Sequence, residues 1–208
     1  MIKNPFLYEK RLFQKGYKNI VGVDEVGRGS LAGPVVAGAF LLVQESVEYL
    51  SRSVVDQIDD SKMLLPKKRE KIYAELLAHT SFSVGVVSSF ELDAIGLTKA
   101  VQKAMDKAIQ KLGVEADYII TDGGHFYFSK PFSTVIDGDA TIFSVAAASI
   151  VAKVMRDEMM VRISKKFPLY ELEKNKGYGT QKHRDAIKKY GPTRQHRFTF
   201  SPLKDVVY

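Results

Sequence analysis

Two adjacent acids, Asp24 and Glu25, close the apolar run Val21-Gly22-Val23 and are followed by Val26-Gly27-Arg28-Gly29. Burying even one carboxylate in such a strand costs several kcal/mol unless it is paired or bound to a cation. Side chains alternate along a strand, so the two acids should face opposite ways. Both can serve one metal site only if the strand bends or ends there, which the following glycines permit. Asp122 closes a second apolar segment, and Asp157 follows Ala152-Lys153-Val154-Met155-Arg156. Carboxylates gathered from separate segments hold hard, oxygen-preferring cations. Two such cations about 4 Å apart can serve both the attacking water and the leaving oxygen of a phosphodiester. Without a cation the cluster would repel itself.

Each acid outside the Asp24-Glu25 pair also has a plainer reading. Asp122-Gly123-Gly124 is turn chemistry, and Asp157 stands four residues after Lys153, the spacing of a helical surface ion pair. Asp139 reads equally well as a helix-start residue ahead of Thr141 and is left outside the set. Gly27-Arg28-Gly29-Ser30-Leu31-Ala32 also fits a dinucleotide-binding fingerprint, with Glu48 near the place of a ribose-binding acid. That motif must open a helix, whereas Gly33-Pro34-Val35-Val36 starts another strand-like run. Two acids before the loop would also repel a pyrophosphate.

The elements that must position these residues read as one α/β or mixed α+β sheet with helices around it. Residues 19–26 and 34–43 are too apolar for one-sided strands and are expected as buried neighbours. Pro66 opens a helix over residues 67–79, and residues 81–88 form a strand. A long helix covers residues 91–112, and strands follow at 118–122 and 132–136. A helix runs from Thr141 to about Lys166, and its run Ala146-Ala147-Ala148-Ser149 allows close packing on the sheet. A last helix covers residues 181–190.

The 208 residues carry no cysteine, which removes disulfides and thiolate sites and favours Mg²⁺ or Mn²⁺ held by oxygen over zinc. The net charge is +7. Residues 150–208 hold 14 Lys and Arg against 6 Asp and Glu, while residues 1–149 are nearly neutral, so the C-terminal quarter is a candidate polyanion surface. No apolar run reaches a bilayer span and no leader is evident at the start, so a soluble cytoplasmic protein is expected. One domain over residues 1–208 is expected, with a catalytic sheet and helices to about residue 165 and a basic helical lobe over about 166–208.

Asp24-Glu25-Val26-Gly27-Arg28-Gly29 and Leu31-Ala32-Gly33-Pro34-Val35-Val36-Ala37 resemble the N-terminal signature of bacterial ribonuclease HII. Asp60-Ser61-Lys62, Thr121-Asp122-Gly123, the stretch Ala146 to Val154 with Arg156-Asp157, Lys176-Gly177-Tyr178, and Gly191-Pro192 with His196-Arg197 extend the likeness in family order. The resemblance implies an α/β ribonuclease-H-like fold, a mixed five-stranded sheet flanked by helices with a helical C-terminal lobe. It further implies an endoribonuclease using Mg²⁺ or Mn²⁺, as two ions, on RNA/DNA hybrids and on single ribonucleotides embedded in duplex DNA, leaving 3′-hydroxyl and 5′-phosphate ends. Asp24, Glu25, Asp122 and Asp157 become the metal-holding catalytic acids. The backbone of Gly27, Arg28 and Gly29 meets the ribose 2′-hydroxyl, Lys62 and Lys176 lie near phosphate, and Tyr178 senses the junction where a ribonucleotide meets DNA. Asn175 stands where the family usually has histidine, Gly179 where it tends to have proline, and His125 in place of part of a common pattern.

The sequence admits two other readings. Ribonuclease HIII usually carries an additional N-terminal domain, for which residues 1–18 leave no room. A non-catalytic nucleic-acid-binding protein would leave the buried acids unexplained. Nothing in the chemistry asks for more than a monomer, and no membrane partner is expected.

Overall fold

The computed structural model describes residues 2, 4–58 and 65–205. In chain order they form α1 (Leu7–Gln14), β1 (Ile20–Val26), β2 (Val35–Leu42), α2 (Gln44–Ser53), α3 (Pro66–His79), β3 (Ser81–Val87), α4 (Ser89–Ile95) and α5 (Leu97–Lys111). There follow β4 (Tyr118–Asp122), β5 (Phe132–Val135), α6 (Gly138–Thr141), α7 (Phe143–Ser164), α8 (Leu172–Asn175) and α9 (Gln181–Tyr190). Among the described residues, five strands make one mixed sheet in the order β3-β2-β1-β4-β5. The β3-β2-β1 part is antiparallel, and β4 and β5 add in parallel. Asp60, Ser61 and Lys62 lie outside the described residues.

The expected long helix over 91–112 is instead two. Ser88 accepts a hydrogen bond from the Glu91 amide (3.1 Å) and starts α4 early, and Gly96, at φ 82°, turns the chain before α5. Among the described residues, four helices were not anticipated: α1, α2 and the four-residue α6 and α8. The first anchors the sheet's covering helix, because Glu9, buried within the protein, accepts from the Ser144 amide (2.9 Å) at the start of α7. The N-cap of that helix is Ile142, whose side chain has no oxygen to offer, so the cap comes from a distant element.

Helix α7 lies across one face of β1 and β2, with every residue from Phe143 to Ala152 buried. The small residues of α7 allow the expected close approach, and the strands contribute equally. A Cβ on Gly22 would overlap the Ser144 carbonyl, and one on Gly38 the Ala148 carbonyl. Helix α5 covers the opposite face, with Val101, Ala104, Met105 and Ala108 packed on Val21, Val23 and Ala37.

The segment between β1 and β2 is tied to the C-terminal region by two guanidinium groups with no exposed surface, Arg156 and Arg197. Arg156 donates to the carbonyls of Pro34 (2.9 Å), Lys176 (2.9 Å) and Ala32 (3.3 Å) and to Ser30 Oγ (2.9 Å). Arg197 donates to the carbonyls of Gly33 (2.9 and 3.1 Å) and Arg28 (2.9 Å). Burial, and then the neighbouring Arg156, lowers the Arg197 pKa to about 9, which leaves it charged at neutral pH. Two of the cations counted towards a basic C-terminal surface are therefore internal staples.

Candidate active site

Strand β1 pairs with β4 only from Ile20↔Tyr118 to Val23↔Thr121, so Asp24 and Glu25 stand where the ladder has run out. Asp122 stands at the same end of the parallel neighbour β4. The carboxyl ends of adjacent parallel strands form a crevice that backbone pairing cannot fill. After Val26 the chain turns at Gly27 (φ 92°), where a side chain would also strike Arg156. The alternation of the strand thus sends Asp24 inwards under α7, while Glu25, still paired with β2 but beyond the last β4 pair, lines the same opening.

Asp24, Glu25, Asp122, Ser149, Lys153 and Tyr178 line one cleft of about 340 Å³, and the Gly27-Arg28-Gly29 segment forms its rim. Asp24 is 5% exposed. Burial first, and then the carboxylate of Glu25, pushes its pKa well above the ordinary range; the Ser149 hydroxyl opposes this and Asp122 adds to it. Burial also raises Glu25, against the opposing pull of Arg28, whose Nη1 lies 3.0 Å from Oε1. The second oxygen, Glu25 Oε2, is buried with no hydrogen-bond partner. Asp122 Oδ1 accepts from the Gly138 amide at 2.7 Å.

A buried acid that prefers to keep its proton, beside an unbonded carboxylate oxygen, fits a hard divalent cation. As the side chains stand, with Glu25 turned to Arg28 and Asp122 to Gly138, no three acidic or imidazole groups among the described residues form a ready ligand set.

Asp157 is placed elsewhere. Its Oδ1 is 2.6 Å from Lys153 Nζ and its Oδ2 3.7 Å from Arg69, and it faces a separate cleft of about 740 Å³. The helical ion pair weighed for it in the sequence is present. Lys176 also lines that second cleft, with its ammonium on the Glu173 carbonyl (2.6 Å). Tyr178 remains in the first, its ring centre 5.7 Å from the Arg156 guanidinium.

The structure brings forward an acid that sequence reasoning set aside. Asp139 is 3% exposed and directly follows Gly138, whose amide holds Asp122. Asp137-Gly138-Asp139 ahead of Thr141 reads as turn and helix-start chemistry, so no local signal in the sequence singled Asp139 out. Ser149 was likewise read only as a small packing residue, yet its hydroxyl bonds Asp24.

The replacement at Asn175 is accommodated locally. Its Oδ1 accepts from the Gly177 amide (2.8 Å) and its Nδ2 donates to the Tyr170 carbonyl (2.7 Å), which holds the turn leading to Tyr178. Gly179 packs where a Cβ would press on Leu31.

The family described as Ribonuclease HII matches residues 21–202. A ribonuclease HII of Caldicellulosiruptor bescii is 41% identical over 209 residues, covering 99% of this chain and 96% of that protein. One of Lactobacillus acidophilus is 44% identical over 201 residues, covering 96% and 77%. The fold matches the ribonuclease H2 of Pyrococcus horikoshii with a TM-score of 0.74 at 24% identity, over 90% of this chain and 96% of that one. It also matches a Bst-RNase HIII crystallised in complex with Mn²⁺, with a TM-score of 0.67 at 18% identity, over 92% and 70%. With a family match across most of its length and relatives above 40% identity, the chain belongs to the ribonuclease HII family and is a ribonuclease H enzyme.

Proposed function

We propose that the chain hydrolyses the RNA strand of RNA/DNA hybrids and cuts on the 5′ side of single ribonucleotides embedded in duplex DNA, leaving 3′-hydroxyl and 5′-phosphate ends. The observation that carries this is the convergence of Asp24, Glu25 and Asp122 with the Gly27-Arg28-Gly29 rim in one cleft. Asp24, Glu25 and Asp122, with Asp139 beside Asp122, would hold Mg²⁺ or Mn²⁺, as two ions. When bound, such ions lower the pKa of an attacking water and neutralise charge on the leaving 3′-oxygen. Asp157 belongs to a supporting role in this reading, steering Lys153 at the cleft wall.

The remaining residues bind and orient. A Cβ at Gly29 would meet open space, so packing does not require glycine there. Room for a nucleic-acid backbone does, and amide groups along the rim suit a ribose 2′-hydroxyl. The Tyr178 ring, 38% exposed and backed by Arg156, offers a face to the sugar at the ribonucleotide–DNA junction. Arg28 and Lys153 supply positive charge towards phosphate, and Lys176 would meet the flanking strand along the second cleft. Lys62 completes the phosphate-binding set. Residues 1–208 would work as one unit and as a monomer, in the cytoplasm; no helix among the described residues is long and apolar enough to cross a membrane.

The test is cleavage of two duplexes, one with a lone ribonucleotide in DNA and one a full hybrid, with Mg²⁺ or Mn²⁺, by wild type and Asp122→Asn. Cutting 5′ of the lone ribonucleotide that disappears in the variant supports the reading. Cutting of the hybrid alone removes the embedded-ribonucleotide activity, and metal-independent cutting removes the proposed site.

A further inference from the structure

Two buried histidines lie behind Tyr178 with a defined order of protons. The Thr193 amide donates to His196 Nδ1 (2.9 Å), so that nitrogen is an acceptor and the ring proton sits on Nε2. His196 Nε2 is 3.1 Å from His183 Nε2, so the second ring accepts there and carries its proton on Nδ1. His183 Nδ1 is 2.9 Å from the Tyr178 carbonyl oxygen. Both rings are buried, at 0% and 1% exposed, and the Tyr170 ring packs on His196 at 5.0 Å. Burial lowers the pKa of both, so both are neutral at neutral pH and one tautomer of each satisfies every nitrogen.

The chain of hydrogen bonds ends on Tyr178, which lines the cleft. Tyr178 sits between Gly177, at φ 84°, and Gly179, so its own neighbours impose little restraint. Its carbonyl accepts from both His183 and the Thr180 amide (2.8 Å), and its strand-like bridge to Ser30 ties it to the Gly-Arg-Gly loop. We infer that His183 and His196 are positioning residues for Tyr178, and that their fixed tautomer chain sets how strongly the enzyme prefers a ribonucleotide–DNA junction over continuous hybrid. The inference rests on the reading of Tyr178 given above. Neither histidine touches the carboxylate cleft, so the effect is on selectivity, with hydrolysis itself left to the acids.

The experiment measures kcat/KM on the lone-ribonucleotide duplex and on continuous hybrid for wild type, Tyr178→Ala, His196→Leu and His196→Gln. Glutamine keeps an N–H donor near the place of Nε2, and leucine does not. His196→Leu is expected to lower the junction-to-hybrid ratio about 10-fold, through displacement of the Tyr178 ring, with His196→Gln recovering most of it. A ratio that falls in Tyr178→Ala and stays at the wild-type value in His196→Leu overturns the inference and leaves the Tyr178 reading standing. A ratio unmoved in both overturns the two together. Because His196→Leu can lose its fold, ring ¹⁵N–¹H spectra of the wild type provide a second measurement: protons on His183 Nδ1 and His196 Nε2 support the chain, and any other pair of tautomers overturns it.

Discussion

The acid cleft and the arginine staples lie on either side of one short segment, Gly27 to Pro34, and treat buried charge in opposite ways. On the staple side, Arg156 and Arg197 spend their N–H groups on carbonyl oxygens and a hydroxyl, in fixed geometry. On the cleft side, Asp24 and Glu25 crowd each other, their pKa values are driven up by burial, and one carboxylate oxygen has no partner. A fold that can satisfy two buried guanidiniums could have satisfied two carboxylates. The difference fits the proposal that the staples are scaffold and the cleft a place completed by a divalent cation.

If that contrast is right, neutralising a cleft acid should cost activity and spare the fold. Asp24→Asn is expected to lower cleavage about 10³-fold while raising the thermal midpoint of the metal-free protein, because a repulsive charge is removed. Parallel melting and cleavage assays check this; a variant that loses both would make Asp24 a structural residue. The staples should behave in reverse. Arg156→Met leaves the oxygens of Ser30, Ala32, Pro34 and Lys176 without their donor, and urea unfolding should show a loss of about 3–5 kcal/mol. A loss below about 1 kcal/mol would mean that water or another cation readily replaces the guanidinium.

The same contrast predicts pH effects of known sign. His196, with its pKa lowered to about 4, binds its proton more readily when unfolded, so stability is full above about 6.5 and falls as pH drops towards 4. The loss should reach about 2–3 kcal/mol and shrink in His196→Gln. The cleft acids work the other way. Asp24 and Glu25 hold protons more tightly when folded, so their contribution is present at low pH and is lost as pH rises through their raised values. Mg²⁺ or Mn²⁺ must displace those protons, so the shift in melting temperature on adding metal should grow from pH 5 to pH 8. A shift independent of pH would place the ion away from these carboxylates.

Much of this was visible in the chain before folding. Asp24 and Glu25 at the end of an apolar strand could be read because burying charge is costly wherever the strand goes. The core strands were equally plain from their Val, Ile and Ala content. What escaped depends on partners far away in sequence. Helix α1 is short and owes its place to Glu9 capping α7, a contact across 135 residues. Arg156 and Arg197 looked like surface cations, since no local pattern says that a carbonyl cage awaits them. His183 and His196 offered no helical or strand periodicity that would pair them.

Asp139 and Asp157 fall on either side of that divide between local pattern and distant contact. The resemblance made Asp157 the fourth acid while its spacing from Lys153 suggested a helical ion pair, and its carboxylate is indeed paired with Lys153 and Arg69. Asp139 instead adjoins the amide that orients Asp122 and is almost fully enclosed. Removing a charge already paired at the cleft wall should loosen Lys153 without dismantling the acid set, so Asp157→Asn is expected to lower kcat/KM by about 10-fold, or about 1.4 kcal/mol. Asp139→Asn should approach the loss expected for Asp24→Asn. Measuring both variants across a Mn²⁺ titration separates the roles: a rise in the metal concentration needed by Asp139→Asn alone assigns it to the metal-holding set, and the same rise in Asp157→Asn would restore Asp157 to it.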